Sequence, residues 1–482
     1  MLKRLMIALL MGATVTGTAS AQAVDWTSDV SGVFSDGSKW TGPTAPGPTE
    51  SAQFNAPWTG APPATTPYTV TFDSNVANQQ LFIGDNDVTF SAGGSARTYS
   101  LDQNASVQNG SLTLENLMTL DVAGGFSVGS GTSEGTLYVN DGATLDCMIF
   151  ENTGETNDSL VVLGGANAVI NATGQTMNTD TIQGEGKLLS MVMNQGVTAL
   201  LHAQSGTFEV NTLMNEGGTV EVDNGATFKI NQGVDSANNG TYLLHGGTVD
   251  LPLHAPLHNS GLISGRGSFK CSVGVPTNET TTIYNNTNIV IEDGNMDFHV
   301  GVTNDGTISI EAGRSAIFHE DVYGKIGTFT GPGRAVFKPG TKFHSGSSPG
   351  HNTFEGDVEF QGSLPMEING TTRGTGYDAI DVYGKLTLSG SLDVTLYDQA
   401  LGQDYEPQLD EEYNLLNWGS IDGTFAGGIN LPAFDIESGL AWDISTLYDD
   451  GTIRVTPEPT SFGMFVFGLL GWGLVDRRRK RR

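Results

Sequence analysis

Two cysteines in 482 residues are too few to staple an exported fold by disulfides, so Cys147 and Cys271 offer at most one bridge. Cations are scarce as well, with 22 Lys and Arg against 53 Asp and Glu and a formal net charge of −31. Eight of those cations lie at the two ends (Lys3, Arg4 and the last six residues), where only Glu458 and Asp476 oppose them, so the body between carries −37. Such a surface repels nucleic acid and anionic membranes, and favours divalent cations or neutral glycans. Helical periodicity of apolar residues is also missing between the terminal segments. Only residues 197–203 suggest a turn of helix, and 65 glycines argue against helical domains. Apolar residues recur at regular spacing throughout, which excludes disorder.

What recurs is a short strand followed by a glycine turn. Residues 135–145 (GTLYVNDGATL), 218–228 (GTVEVDNGATF), 306–313 (GTISIEAG) and 385–396 (KLTLSGSLDVTL) share the pattern. Period-two alternation puts Leu137 with Val139, and Val220 with Val222, on one buried face. The Asn-Asp-Gly and Asp-Asn-Gly turns supply residues that tolerate positive φ. A degenerate strand-turn repeat cannot bury its apolar face within one coil, so coils must stack. The expected fold is all-β: a parallel β-helix or solenoid over residues 73–345, with about 12 turns and a length on the order of 60 Å. A string of β-sandwiches is the alternative. Residues 24–72, with Trp26, Phe34, Trp40 and Phe54, are expected to cap the first coil, and residues 346–455 to form a further β region. Within a solenoid the two cysteines fall about five coils apart, roughly 25 Å at about 4.8 Å per coil, beyond the about 7 Å a disulfide spans.

The ends are addresses. Residues 1–23 carry Lys3 and Arg4, an apolar stretch from Leu5 to Met11, and Ala19-Ser20-Ala21, the order of a secretory signal peptide cleaved after Ala21 or Ala23. At the other end stand Pro457-Glu458-Pro459, an apolar stretch over 460–475, and Arg477, Arg478, Arg479, Lys480, Arg481 and Arg482. As a helix the apolar stretch is roughly 24 Å long at about 1.5 Å per residue. It spans a membrane if the arginines snorkel, with the basic cluster on the cytoplasmic side. This tail (456–482), paired with the signal, resembles the sorting domain of the PEP-CTERM proteins. The resemblance implies recognition and cleavage by an exosortase, and an association with exopolysaccharide. The order of strands over 346–455 is similar to the C-terminal part of autotransporter passenger domains, which are β-helices, although no outer-membrane barrel follows.

Candidate chemistry is sparse. Gly346-Ser347-Ser348-Pro349-Gly350 fits the Gly-x-Ser-x-Gly pattern with His351 beside it, but strand and turn follow where a nucleophile elbow needs a helix. His254 and His258 have zinc-helix spacing, and Pro252 and Pro256 forbid the helix. Acidic pairs at Asp85/Asp87, Glu320/Asp321, Glu411/Glu412 and Asp449/Asp450 read as solvated turn residues, the last as a hairpin turn. The sequons at Asn104 and Asn171 are expected by chance. No catalytic, cofactor-binding or metal-ligating residue is therefore assigned, with calcium the one ion that the acidity invites. The expectation is a non-enzymatic, exported structural or adhesive solenoid, membrane-anchored before processing and acting with extracellular polysaccharide. The alternatives are a β-helix polysaccharide lyase or glycosidase, and a calcium-dependent adhesin.

Overall fold

The computed structural model describes residues 22–27, 30–55, 66–154, 158–232, 236–272, 281–347, 349–396, 405–435 and 438–458. Strand accounts for 63% of the chain and helix for 1%, arranged as a solenoid of about 12 turns, so the fold is all-β. The chain divides into two compact units, residues 1–202 with 208–211, and residues 203–207 with 212–482.

In the first unit each turn supplies strands to three parallel ladders. One runs Gln22–Asp25, Glu50–Phe54, Gln80–Ile83, Ala105–Val107, then through the distal halves of Met118–Gly131 and Thr144–Gly154. A second runs Gly32–Val33, Tyr68–Thr71, Asp87–Ser91, Ser111–Leu114 and Thr136–Asn140. The third begins at Val76–Asn78 and Arg97–Leu101. Among the described residues parallel pairing is present from Gln22 onward, and the segment expected to lie over the first coil builds coils itself. Its aromatic side chains pack inside those coils. Trp26 meets Trp40 edge-on at 5.0 Å, and Phe34 stacks on Phe72 at 5.0 Å. All four are buried.

The second unit repeats the plan. Thr219–Val222 pairs with Thr241–Asp250, and that strand with Leu262–Lys270, Asn288–Phe298 and Thr307–Ile310 in turn. Parallel pairing persists through His351–Phe354, Ala379–Leu388 and Leu416–Gly423, well past residue 345. It ends at an antiparallel sheet in which Thr452–Pro457 pairs with both Glu412–Asn414 and Leu440–Asp443. Pro457 therefore sits in a strand, opposite Leu440, and Glu458 N–H donates to Gly439 O at 2.8 Å. The loop containing Asp449 and Asp450 is longer than a tight hairpin turn.

The inward positions match the alternation, with Leu137, Val139, Val220 and Val222 fully buried. At the turns it is glycine that takes the positive φ, 77° at Gly142 and 78° at Gly225, rather than the Asn or Asp beside it. Residues 197–198 form a turn and Leu200 begins a strand, so no helix forms there. Among the described residues no helix is long and apolar enough to cross a membrane. The signal segment up to Ala21 and the tail from Pro459, including the arginine cluster, lie outside the described residues.

Stacking of successive turns brings like side chains into register, and two such columns run through the core. In the second unit Phe269, Phe298, Phe318, Phe337 and Phe360 stack ring on ring at 6.0, 5.1, 5.1 and 4.9 Å. At one corner Asn215, Asn238, Asn259, Asn285 and Asn304 form a ladder. Each Nδ2 donates to the next Oδ1 at 2.8 Å. The second N–H reaches a main-chain carbonyl beyond it, as Asn259 does to Asn288 O at 3.1 Å. The first unit holds a shorter ladder, Asn152 to Asn178 to Asn194, at the same spacing. All eight amides are fully buried, where an unmet polar group costs more than a made bond gains. Asn259→Ala removes one rung and strands both neighbours. It should lower the stability of the second unit by about 2–4 kcal/mol, read as a shift in the urea unfolding midpoint.

Candidate functional site

Alternation buries one side of each strand and leaves the other free to vary. In the first unit the free side of one ladder forms a shallow groove of about 610 Å³. It crosses five successive strands, from Glu50–Phe54 to Thr144–Gly154. Its polar lining is Ser51, Gln53, Gln80, Asn104, Ser106, Gln108 and Ser127, with Phe82, Met148 and Ile149 between them. Bonds between neighbouring turns set the amides: Gln80 Nε2 donates to Gln103 Oε1 at 2.5 Å, and Asn104 Oδ1 accepts Gly125 N–H at 2.8 Å. Glu151 is the only charged residue in the lining. On so acidic a chain this is a neutral strip of amides and hydroxyls around a half-buried aromatic ring. Such a surface meets hydroxyl groups as both donor and acceptor, and offers a ring face to C–H groups.

A smaller cleft of about 320 Å³ lies in the second unit, lined by Asp381, Val382, Tyr383, Asn417, Trp418 and Gly419. Strands His351–Phe354, Ala379–Leu388 and Leu416–Gly423 align Thr353, Asp381 and Asn417 in one outward column, and His351, two residues before Thr353, reaches Asp381 diagonally. Asp381 Oδ2 lies 2.7 Å from His351 Nε2, and its Oδ1 accepts Asn417 Nδ2 at 2.8 Å. Arg373 arrives from a loop and bonds both oxygens, at 2.7 and 3.3 Å. Burial pushes the Asp381 pKa up, and bonds from Arg373, Asn417 and His351 outweigh it, holding the carboxyl below its usual value. A carboxylate so fully engaged is a fixed anion rather than a proton carrier. Beside it the Tyr383 ring is 68% exposed and open to stacking.

The residues singled out in the sequence do not converge. Ser348 lies outside the described residues, and the strand His351–Phe354 follows it directly, as a nucleophile elbow would not. His258 stacks on Tyr284 at 4.9 Å from the strand Leu257–Asn259, while His254 sits in the preceding loop at φ 58°. No disulfide joins Cys147 to Cys271, and burial, with Asp146 adding to it, pushes the Cys147 thiol up to about 12. Asp87 accepts Ser111 Oγ at 2.7 Å, Asp321 accepts Lys342 N–H at 2.8 Å, and Glu412 pairs with Arg454. Glu411 accepts Tyr405 and Gln408. Among the described residues, none of the four acidic pairs joins a group of three converging metal-type ligands. Asn171 Nδ2 donates to Asp146 Oδ1 at 3.0 Å, across neighbouring strands. Sequence reasoning missed the groove because its lining belongs to positions far apart in the chain that only the register aligns.

The loop before His351 is pinned by Asp378, whose oxygens accept Gly350 N–H at 2.6 Å and Glu367 N–H at 2.7 Å. Burial raises this carboxyl to about 7, against the two backbone bonds that lower it. Compared with known proteins, the chain matches no protein-family model and no curated protein. The class is therefore set by the fold, a parallel β-solenoid. Because the folded Asp378 pKa exceeds its unfolded value, its contribution is full below about pH 4 and is lost as pH rises to about 7, at about 1.4 kcal/mol per pH unit. Asp378→Asn gives up one acceptor and should remove that slope, measured by urea unfolding at several pH values.

Proposed function

We propose that this protein is an exported, non-enzymatic scaffold that holds neutral extracellular polysaccharide along its solenoid surface. The observation that carries the reading is the largely neutral groove of the first unit, whose lining has a single carboxylate, Glu151, on a chain of net charge −31. An acidic exterior keeps such a protein soluble and apart from its own copies. A strip of amides and hydroxyls on stacked strands presents repeated bonding groups to a repeating polymer. The strands beneath are rigid, so little ordering entropy is spent on binding.

Delivery follows from the two ends in this reading. The N-terminal segment directs export, and Pro457, Glu458 and Pro459 with the arginine cluster Arg477 to Arg482 act as a PEP-CTERM sorting tail. The tail anchors the chain in the membrane until an exosortase-type enzyme processes it. The mature protein then belongs to the cell surface or the extracellular matrix. The engaged Asp381 supports the non-enzymatic reading, since glycoside hydrolysis needs a carboxyl free to exchange a proton.

The test mixes the full chain with neutral exopolysaccharide from the producing strain and follows co-sedimentation together with new chain ends. Binding without new ends is the expected result. Gln80→Ala and Phe82→Ala should each weaken it by about tenfold, the order expected for a contact worth about 1.4 kcal/mol. Absence of binding, or release of chain ends, contradicts the proposal.

A further inference from the structure

The second unit carries a side-chain cluster that the polysaccharide reading does not use. On the strand Asn288–Phe298, Met296 and Phe298 point inward and are fully buried. Alternation turns Asp297 outward, and carries His299, just past the strand end, to the same side. The next strand of that ladder, Ser315–Phe318, pairs Phe318 with Phe298. His319 N–H donates to Phe298 O at 2.9 Å, which sets His319 directly beside His299. Their imidazoles stack with centroids 4.0 Å apart and planes 16° from parallel. His319 Nε2 lies 3.1 Å from Asp297 Oδ1. One ligand atom from each of Asp297, His299 and His319 falls within 4.8 Å of the other two.

We propose that Asp297, His299 and His319 form a binding site for a transition-metal dication of the zinc type. Two imidazoles and one carboxylate are the donors such an ion selects, and they leave a fourth tetrahedral position for water. Zinc bonds of about 2.0–2.1 Å space tetrahedral ligand atoms roughly 3.3 Å apart, so modest side-chain rotations close the cluster onto an ion. The backbone is already fixed, because the Phe298 and Phe318 rings beneath are stacked in the core at 5.1 Å. Calcium, which requires six to eight oxygen donors, does not fit two imidazoles. Other stacked pairs on this unit differ in kind: His258 lies on Tyr284, and Tyr323 on His344, so each places one imidazole against a phenol. Lys270 and Lys338 occupy the neighbouring places in the column, by the same backbone bonding of His299 N–H to Phe269 O and Lys338 N–H to Phe318 O. Their charge weakens the site, and their flexible stems let the ammonium groups swing into solvent.

The experiment titrates the full chain with zinc chloride by calorimetry, with calcium chloride as the contrasting ion, and records the visible absorption of the cobalt(II) form. The expected result is one zinc per chain, no heat from calcium at this site, and an intense tetrahedral cobalt band. His299→Ala and His319→Ala should each weaken zinc binding at least tenfold while the circular dichroism stays that of the parent chain. Asp297→Asn gives a second route should either histidine variant fail to fold. Absence of saturable zinc binding, absence of the cobalt band, or zinc affinity unchanged in the folded variants overturns the proposal.

Discussion

Each buried ladder amide must be satisfied, and it is met by the same amide one turn on together with a main-chain carbonyl. Each interior ladder asparagine, such as Asn259, accepts from one neighbour, donates to the other, and ties its second N–H to a main-chain carbonyl past the corner. The bond therefore fixes three things together: the axial spacing, the register of the stacked strands and the path of the chain around the corner. A one-residue slip would put an apolar or turn residue in the column and leave two buried amides unmet. Apolar columns such as the stacked phenylalanines are worth more in burial but tolerate sliding. The amides are specific where the rings are not.

The ladders also show what ends them. In the first unit the column that becomes Asn152 is Phe54, Ile83, Val107 and Val128 on the preceding turns. The first amide thus faces an apolar neighbour, and Asn152 Oδ1 has no hydrogen-bond partner among the described residues. In the second unit Gly324 follows Asn304. The Asn352 side chain fills the space there and donates to Gly324 O and Gly327 O, at 3.3 and 3.1 Å. With inward positions committed to the core and corners committed to turns, only outward positions can carry function. That is where the neutral groove, the Tyr383 cleft and the paired histidines all lie.

Much of this fold was legible because period-two alternation and glycine turns are local signals. Leu137 with Val139, and Val220 with Val222, needed no partner to be read as buried. The limits of the solenoid were not legible. Trp26, Phe34, Trp40 and Phe54 looked like a cap because aromatic and proline-rich composition says nothing about parallel pairing. The ladder asparagines drew no reading from the sequence, since the gaps between them vary with loop length. Their recurrence just before a turn, as at Asn238, Asn259 and Asn304, was the available clue. Sites were less legible still. Gln80, Phe82, Asn104 and Ser127, or Asp297 and His319, meet only through register, and no spacing rule encodes a contact across turns of unequal length.

The most direct test of this account is a double-mutant cycle on Asn238 and Asn259, each changed to alanine singly and together, with stability measured by urea unfolding. If the amide ladder carries the register, the two losses are strongly non-additive, with a coupling of about 1–3 kcal/mol. Additive losses within about 0.5 kcal/mol would show that the amides act independently, and that the packing of the apolar columns alone holds the turns in place.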